Sequence, residues 1–130
     1  MEDRRRGGIW LGLAGLDGAV GMIAGALSAH GVDAATQHLV ETGAHYQVLH
    51  ALALVGVALA MRARGGRLIE WAGWAFLIGC VLFSGGLYAT AAGGVQLTVL
   101  VPFGGAAFIA GWLLLAAAGL RDWRRFGVTR

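Results

Sequence analysis

The chain has 130 residues, of which 58% are hydrophobic and 13% charged, and its net charge is +3. Soluble domains run at about 45–50% apolar and about 25% charged, so a soluble enzyme and a disordered segment are both excluded. One proline and no G-X-Y period exclude collagen despite 23 glycines, and the single cysteine, Cys80, excludes an intramolecular disulfide, a thiolate zinc site and a CxxC pair.

The first predicted element is a charge-poor stretch over residues 9–29. A helix of about 20 residues crosses a hydrocarbon core about 30 Å thick, so this is the first membrane span. Its apolar run exceeds the roughly 7–15 residues of a signal peptide, and it is expected to be retained. Gly21, Gly25 and Ala29, with Gly18 before them, form a small-residue stripe suited to close helix packing. Asp17 falls about 12 Å past Ile9, near mid-membrane. A carboxylate there costs about 2.5–3.5 kcal/mol on insertion scales and is expected to face the bundle interior. It reads either as a carboxyl bonded to a neighbouring helix or as part of a proton or ion path.

The connection that follows, residues 31–43, holds no Lys or Arg, and all four histidines lie between His30 and His50. The second span is predicted over 44–61. If its helix begins early, near Ala34, then His38, Glu41 and His45 share one face. Such a face ligates zinc or copper or is simply solvated; no fourth ligand is evident. Tyr46, His50, Leu54 and Val57 share another face, expected to point into the bundle. His50 lies about 9 Å into the span. It reads as a histidine satisfied by Tyr88, Ser84 or a backbone carbonyl, as part of a ligand pocket, or as a haem ligand with His30 as its one available partner.

Arg62, Arg64 and Arg67 separate the second span from a third over 68–89. Glu70 beside Arg67 reads as an interfacial ion pair. Gly79 and Gly86 are expected to pack, as is Cys80. Ser84, Tyr88 and Thr90 lie in the half of this span away from the arginines. The connection 90–96 again lacks basic residues, and a fourth span is predicted over 97–120. Pro102 is expected to loosen one helical turn, with Gly104 and Gly105 beside it. Gly104, Ala107 and Gly111 are its small residues.

All ten basic residues are arginines, and they occur only before span one, between spans two and three, and after span four. The positive-inside rule then puts both termini and the arginine loop in the cytoplasm. Trp10, Trp71 and Trp123 lie near the same ends, as an aromatic belt would. A β-barrel, the other spanning solution, is discounted because the runs are long and do not alternate. The expected fold is an all-α integral membrane protein, a four-transmembrane-helix bundle with N-in/C-in topology, forming one membrane domain over residues 1–130. Its expected location is the cytoplasmic (inner) membrane of a bacterium.

Several segments together resemble a known family. Gly25-Ala26-Leu27-Ser28-Ala29-His30-Gly31 resembles a G-A-F-G-A-H-G helix end. Tyr46-Gln47 and His50-Ala51-Leu52-Ala53-Leu54 resemble Y-Q-x-x-H-A-L-A-L, and Phe83-Ser84-Gly85-Gly86-Leu87-Tyr88 resembles F-S-G-S-L-Y. Pro102-Phe103-Gly104-Gly105, Ala107-Phe108 and Gly111-Trp112 resemble P-I-G-G-x-A-F-x-x-G-W. These are segments of the transmembrane protein 256 / domain of unknown function 423 family of small four-span membrane proteins, and they cover roughly residues 9–120. Leu27, Ser28, Gly86 and Phe103 depart from the pattern. His38 and His45 fall outside it. The resemblance implies a four-span membrane protein and carries no established activity. His30, Tyr46, Gln47, His50, Ser84, Tyr88 and Pro102 lie within the motifs, and the topology independently gathers the same residues in the outer half.

Three functions follow as expectations. The first is an accessory or scaffold bundle acting through helix contacts, as a homo-oligomer or with a membrane protein partner. The second is a binding or transport module for a small ligand at an outer-half cluster of His30, Tyr46, Gln47, His50, Ser84, Tyr88 and Pro102, with Asp17 as the intramembrane acid. The third is a metal or redox site on the histidine cluster, with His38, Glu41 and His45 as ligands. The sequence offers no nucleophile–base pair and no phosphate-binding loop, so the reading leans away from an enzyme. No cofactor and no nucleic acid are expected; the lipid bilayer is the expected environment.

Overall fold

The computed structural model describes residues 1–93 and 95–126. Helix α1 spans Glu2–His30, α2 Ala34–Ala63 and α3 Arg67–Gly79. A π-helical turn, Cys80–Ser84, leads into α4, Gly85–Ala91; a 3₁₀ turn, Thr98–Leu100, leads into α5, Val101–Phe126. The segment Arg67–Ala91 runs as one span, so four helical spans are long and apolar enough to cross a membrane. There is no strand among the described residues.

The helices outrun the apolar stretches at both ends. At the N-terminus Arg6 bonds Glu2 one turn back at 2.7 Å, a pairing that supports an exposed turn. Only Gly31–Asp33 separates α1 from α2. The Asp33 carbonyl accepts the N–H groups of Thr36 and Gln37, both at 2.9 Å, and starts α2 early. The histidine-bearing connection is therefore mostly helix. The α2–α3 turn is made by Gly65 (φ 65°) and Gly66 (φ 112°), a backbone that other residues rarely adopt.

Two ion pairs fix the ends. Arg6 reaches Glu70 of α3 at 2.8 Å, and Arg64 reaches Asp122 of α5 at 2.6 Å. The start of α1, the α2–α3 turn and the end of α5 thus share one face, called here the arginine end. The other face, with His30 and the start of α2, is the histidine end. Glu70 therefore pairs with Arg6 rather than Arg67, because α1 brings a guanidinium across to it.

The spans are not equivalent. Half of the most apolar stretch of α2 is buried and 39% of that of the third span, against 22% for α1 and 17% for the fourth. α2 and α3–α4 are central; α1 packs mainly on α2, and α5 on α3 and the π turn. Small residues set both contacts. Gly18, Gly21 and Gly25 lie against Ala51, Val48 and Ala44 of α2, so the α1 stripe is used within the chain. Between α3 and α5, rings fill the hollows that glycines leave. The Phe108 ring lies on Gly79 and the Phe76 ring on Gly111, while at Gly104 it is the Phe83 backbone that comes close. Close backbone approach of this kind is what holds helices together where lipid is as apolar as the side chains.

Two expectations are corrected. Trp10 is not in an interfacial belt. It is 4% exposed, lies on Gly73 and meets Trp74 edge-on at 5.3 Å. Trp71 and Trp123 do remain exposed. The turn before Pro102, Thr98–Leu100, is 3₁₀, and Pro102 itself loosens no turn within α5. It is the second residue of α5, where a helix N–H has no intrahelical acceptor to lose. The irregular turn lies instead in the third span, at Cys80–Ser84, where the Gly85 N–H reaches back to the Cys80 carbonyl.

Candidate functional site

Two buried polar clusters hang on α2, one helical turn apart. The first begins at Gln47, 6% exposed. Its Nε2 donates to Asp17 Oδ1 at 2.8 Å, and its Oε1 accepts from the Tyr88 hydroxyl at 2.8 Å. The Cys80 thiol donates to Asp17 Oδ2 at 3.2 Å. The hydrogen bonds thus run one way, from Tyr88 through Gln47 to Asp17. The carboxylate receives a donor on each oxygen. Among the described residues no arginine or histidine forms an ion pair with it.

The backbone explains the convergence. Gly43, one turn before Gln47, lies under the Tyr88 ring; a Cβ there would stand 2.6 Å from the ring. The absent side chain lets α4 approach α2 closely enough for the hydroxyl to reach the amide. Ser84, at the end of the π turn, is fully buried and donates to the Gly43 carbonyl at 2.7 Å. Cys80 opens the same turn. A π turn adds a residue to the helical repeat and re-aims the side chains around it. Here it brings the Cys80 thiol to α1 and the Ser84 hydroxyl to α2.

The second cluster is His50, 3% exposed. Its Nε2 accepts from Trp112 Nε1–H at 3.3 Å, which leaves the proton on Nδ1, and Nδ1 lies 2.7 Å from the Tyr46 carbonyl. Both ring nitrogens are used and the imidazole is neutral. Phe108 stacks on it with centroids 3.5 Å apart and planes 6° apart. Of Tyr46 the cluster uses the carbonyl. Its side chain is 40% exposed and packs on Phe83 at 4.8 Å. The inward face of α2 therefore carries Gln47 as well as His50, Leu54 and Val57, with Tyr46 at its edge.

The remaining candidates lie elsewhere. His30 is exposed at the end of α1, and Pro102 is exposed on the first turn of α5. His38, Glu41 and His45 are exposed along α2; Gln37 donates to Glu41 at 2.7 Å and His45 meets the Tyr46 ring edge-on. Among the described residues no three His, Cys, Asp or Glu side chains gather as a metal site. From the sequence Cys80 is expected only to pack, and Phe108 and Trp112 carry no site signal beyond their motif. Trp112 sits in a recognisable motif, but nothing in its spacing from His50, 62 residues away, marks the contact.

A cavity of about 490 Å³ opens at the histidine end. Val20, Ile23 and Leu27 of α1, Thr36 and Val40 of α2, and Tyr88 of α4 line it. Tyr88 is the point where the cavity meets the first cluster. Asp17 lies one turn deeper along α1 than Val20. The cavity is an open groove, apolar with a few polar groups, and its Val20, Ile23 and Leu27 walls are each more than half exposed.

Comparison with known proteins places the chain. The family model described as "Protein of unknown function (DUF423)" matches residues 24–105. The chain is 36% identical over 113 residues to the UPF0382 inner membrane protein YgdD of Escherichia coli K12, covering 83% of this chain and 86% of that protein. It is 37% identical over 119 residues to a UPF0382 membrane protein of Haemophilus influenzae, covering 87% and 94%. With the UPF0382 membrane protein YwdK of Bacillus subtilis it shares 37% identity over 109 residues, covering 79% and 87%. No solved structure matches it. The chain, a small four-span helical membrane protein, belongs to the DUF423 family, whose function is unknown.

Proposed function

We propose that the protein is a membrane binding module for a small ligand, seated in the cavity at the histidine end, with Tyr88 as its contact group and Asp17 as the acid behind it. One observation carries this reading. The polar wall of the cavity is tied through Gln47 to a carboxylate inside the helical span. Asp17 takes a donor on each oxygen, from Gln47 and from Cys80, which an asparagine, with a single acceptor oxygen, would not reproduce. The chemistry also narrows the ligand. The Tyr88 proton is committed to Gln47, which leaves the phenol oxygen as an acceptor for an incoming donor. The carboxylate behind it favours a donor or cationic head. Valine, isoleucine and leucine walls accept an apolar body.

Native mass spectrometry of the protein released from lipid nanodiscs tests this. A reproducible bound mass is expected, lost in Tyr88→Phe and in Asp17→Asn while both variants stay folded. Bound mass that falls only as far as the folded fraction falls would overturn the reading.

A second reading is favoured by the edge position of α1. The groove beside it, about 650 Å³, has small residues of α1 (Gly25, Ala26, Ala29) on one side and His45, Leu49 and Leu52 of α2 on the other. The small residues on its α1 side would let a helix of a second copy or of a membrane partner approach closely. The same spectrum reads it: a defined oligomer without added mass supports the scaffold, and a strict monomer at physiological density counts against it.

The arginine distribution, and the similarity to the inner membrane protein YgdD, support placement in the bacterial cytoplasmic membrane with the arginine end inside. A reporter fused after Arg130 is expected to read as cytoplasmic; an external reading would invert the assignment.

A further inference from the structure

The arginine end holds a feature that the reading above does not use. A cavity of about 210 Å³ lies between the α2–α3 turn and the end of α5. Arg64, Arg67, Arg121 and Arg125 line it, with Asp122 as its one acid. Asp122 is already engaged by Arg64 at 2.6 Å. Among the described residues, Arg67, Arg121 and Arg125 form no ion pair. The four guanidinium groups come from segments more than 50 residues apart, so they meet through the fold and not through a local run of charge. Asp3 approaches the same turn from α1 and lies against Gly65, but it does not line the cavity.

Anchoring alone does not require this arrangement. Arginines that merely hold a helix end at the interface spread outward into water and headgroups. These four are exposed as well, but they border one cavity, and among the described residues only Arg64 is paired there with an acid. The guanidinium fork matches phosphate oxygens two at a time. The first turn of α3 opens at the same place, and a helix N-terminus adds partial positive charge. The cavity lies at the ends of the spans, where the apolar stretches give way to arginines.

We propose that this cavity is a phosphate-binding site that holds the phosphodiester of an anionic phospholipid. Arg67, Arg121 and Arg125 supply the charge that is not already paired, and the Arg64–Asp122 pair fixes the wall. Free phosphate offers the same chemistry and is the other possible source of the anion.

The test uses the full chain in nanodiscs of phosphatidylcholine with added phosphatidylglycerol, read by native mass spectrometry as retained lipid. The wild type is expected to retain phosphatidylglycerol in preference to phosphatidylcholine. Each arginine near an anionic surface is worth about fivefold in affinity, so R67Q/R121Q loses well over tenfold. R4Q/R5Q removes equal charge outside the cavity and is expected to lose less retained lipid than R67Q/R121Q. If R67Q/R121Q does not fold, R121Q alone decides, because Arg121 is an exposed residue at the end of α5. Inorganic phosphate that displaces the retained lipid supports the site with a free anion as ligand. Lipid retained against it supports the site with the headgroup as ligand. Equal loss in R67Q/R121Q and R4Q/R5Q, unchanged retention in folded R121Q, or equal retention of both lipids overturns the proposal.

Discussion

Gln47 and His50 stand three residues apart on the same buried face of α2, yet they end in different chemistry. His50 closes on itself. Its two nitrogens meet a carbonyl and an indole N–H, and its face meets Phe108. Every partner is neutral and none borders the 490 Å³ cavity. Gln47 passes its hydrogen bonds on, accepting from Tyr88 at the cavity wall and donating to the acid of α1. A buried polar group surrounded by neutral partners fixes a bundle's register. The Asp17 carboxyl, in no ion pair among the described residues and joined through Gln47 to the cavity wall, is not closed off in this way. The difference separates a structural polar cluster from a candidate working one, although both lie within motifs of the same family.

The sharpest way to break this comparison is His50→Ala. It removes a stacked ring and strands the Trp112 N–H, so a loss of about 2–4 kcal/mol is expected from the cavity and the unpaired donor together. Denaturant unfolding in mixed micelles reads it. Any bound mass should fall only in step with folding. A stable His50→Ala protein that has lost its ligand would move the site to the second cluster.

Gly43→Ala comes next. The new methyl would meet the Tyr88 ring at 2.6 Å and push it from Gln47, at about 1–3 kcal/mol for overpacking. Here binding and stability should fall together. Unchanged unfolding would mean that the Tyr88 ring does not need the Gly43 hollow.

Much of the fold was legible in the sequence, and the reason is physical. A membrane forces spans of fixed length, and ten arginines on alternate connections show which ends lie together. Asp17 stood out because a charge in hydrocarbon is rare. Its partners did not stand out. Gln47 is 30 residues away and Cys80 63, and no local pattern encodes such a meeting. The inward turn of Trp10 was hidden for a similar reason: Gly73 makes the space, and a glycine in one helix does not say which ring of another will fill it. The π turn was illegible because Cys80–Ser84 reads as ordinary apolar helix with one serine. The histidines drew attention by composition, but three of the four proved to be exposed.

Tyr88→Phe gives a smaller effect than either substitution above. It keeps the ring on Gly43 and deletes one interhelical hydrogen bond, worth about 0.6 kcal/mol on average in a membrane and at most about 1.7. Bound mass should nevertheless vanish. A double-mutant cycle with Asp17→Asn then asks whether Gln47 transmits anything. If the three residues act as a chain, the two substitutions are non-additive, because each already disturbs the orientation of the same amide. Strict additivity would reduce the chain to two independent hydrogen bonds.

The smallest effect belongs to Cys80→Ala. A thiol is a weak donor, and its contact with Asp17 is the longer of that residue's two at 3.2 Å. Stability should change by less than about 1 kcal/mol, since a methyl fills most of the same space. The informative measurement is binding at unchanged stability. Removing the thiol frees one oxygen of the carboxylate while leaving Gln47 and Tyr88 in place. If Asp17 acts on the ligand through the Gln47 amide, binding persists, because that oxygen points toward Cys80 and away from the amide. If it falls as far as in Asp17→Asn, the thiol belongs to the site, and the π turn that aims it is there for function and not for packing alone.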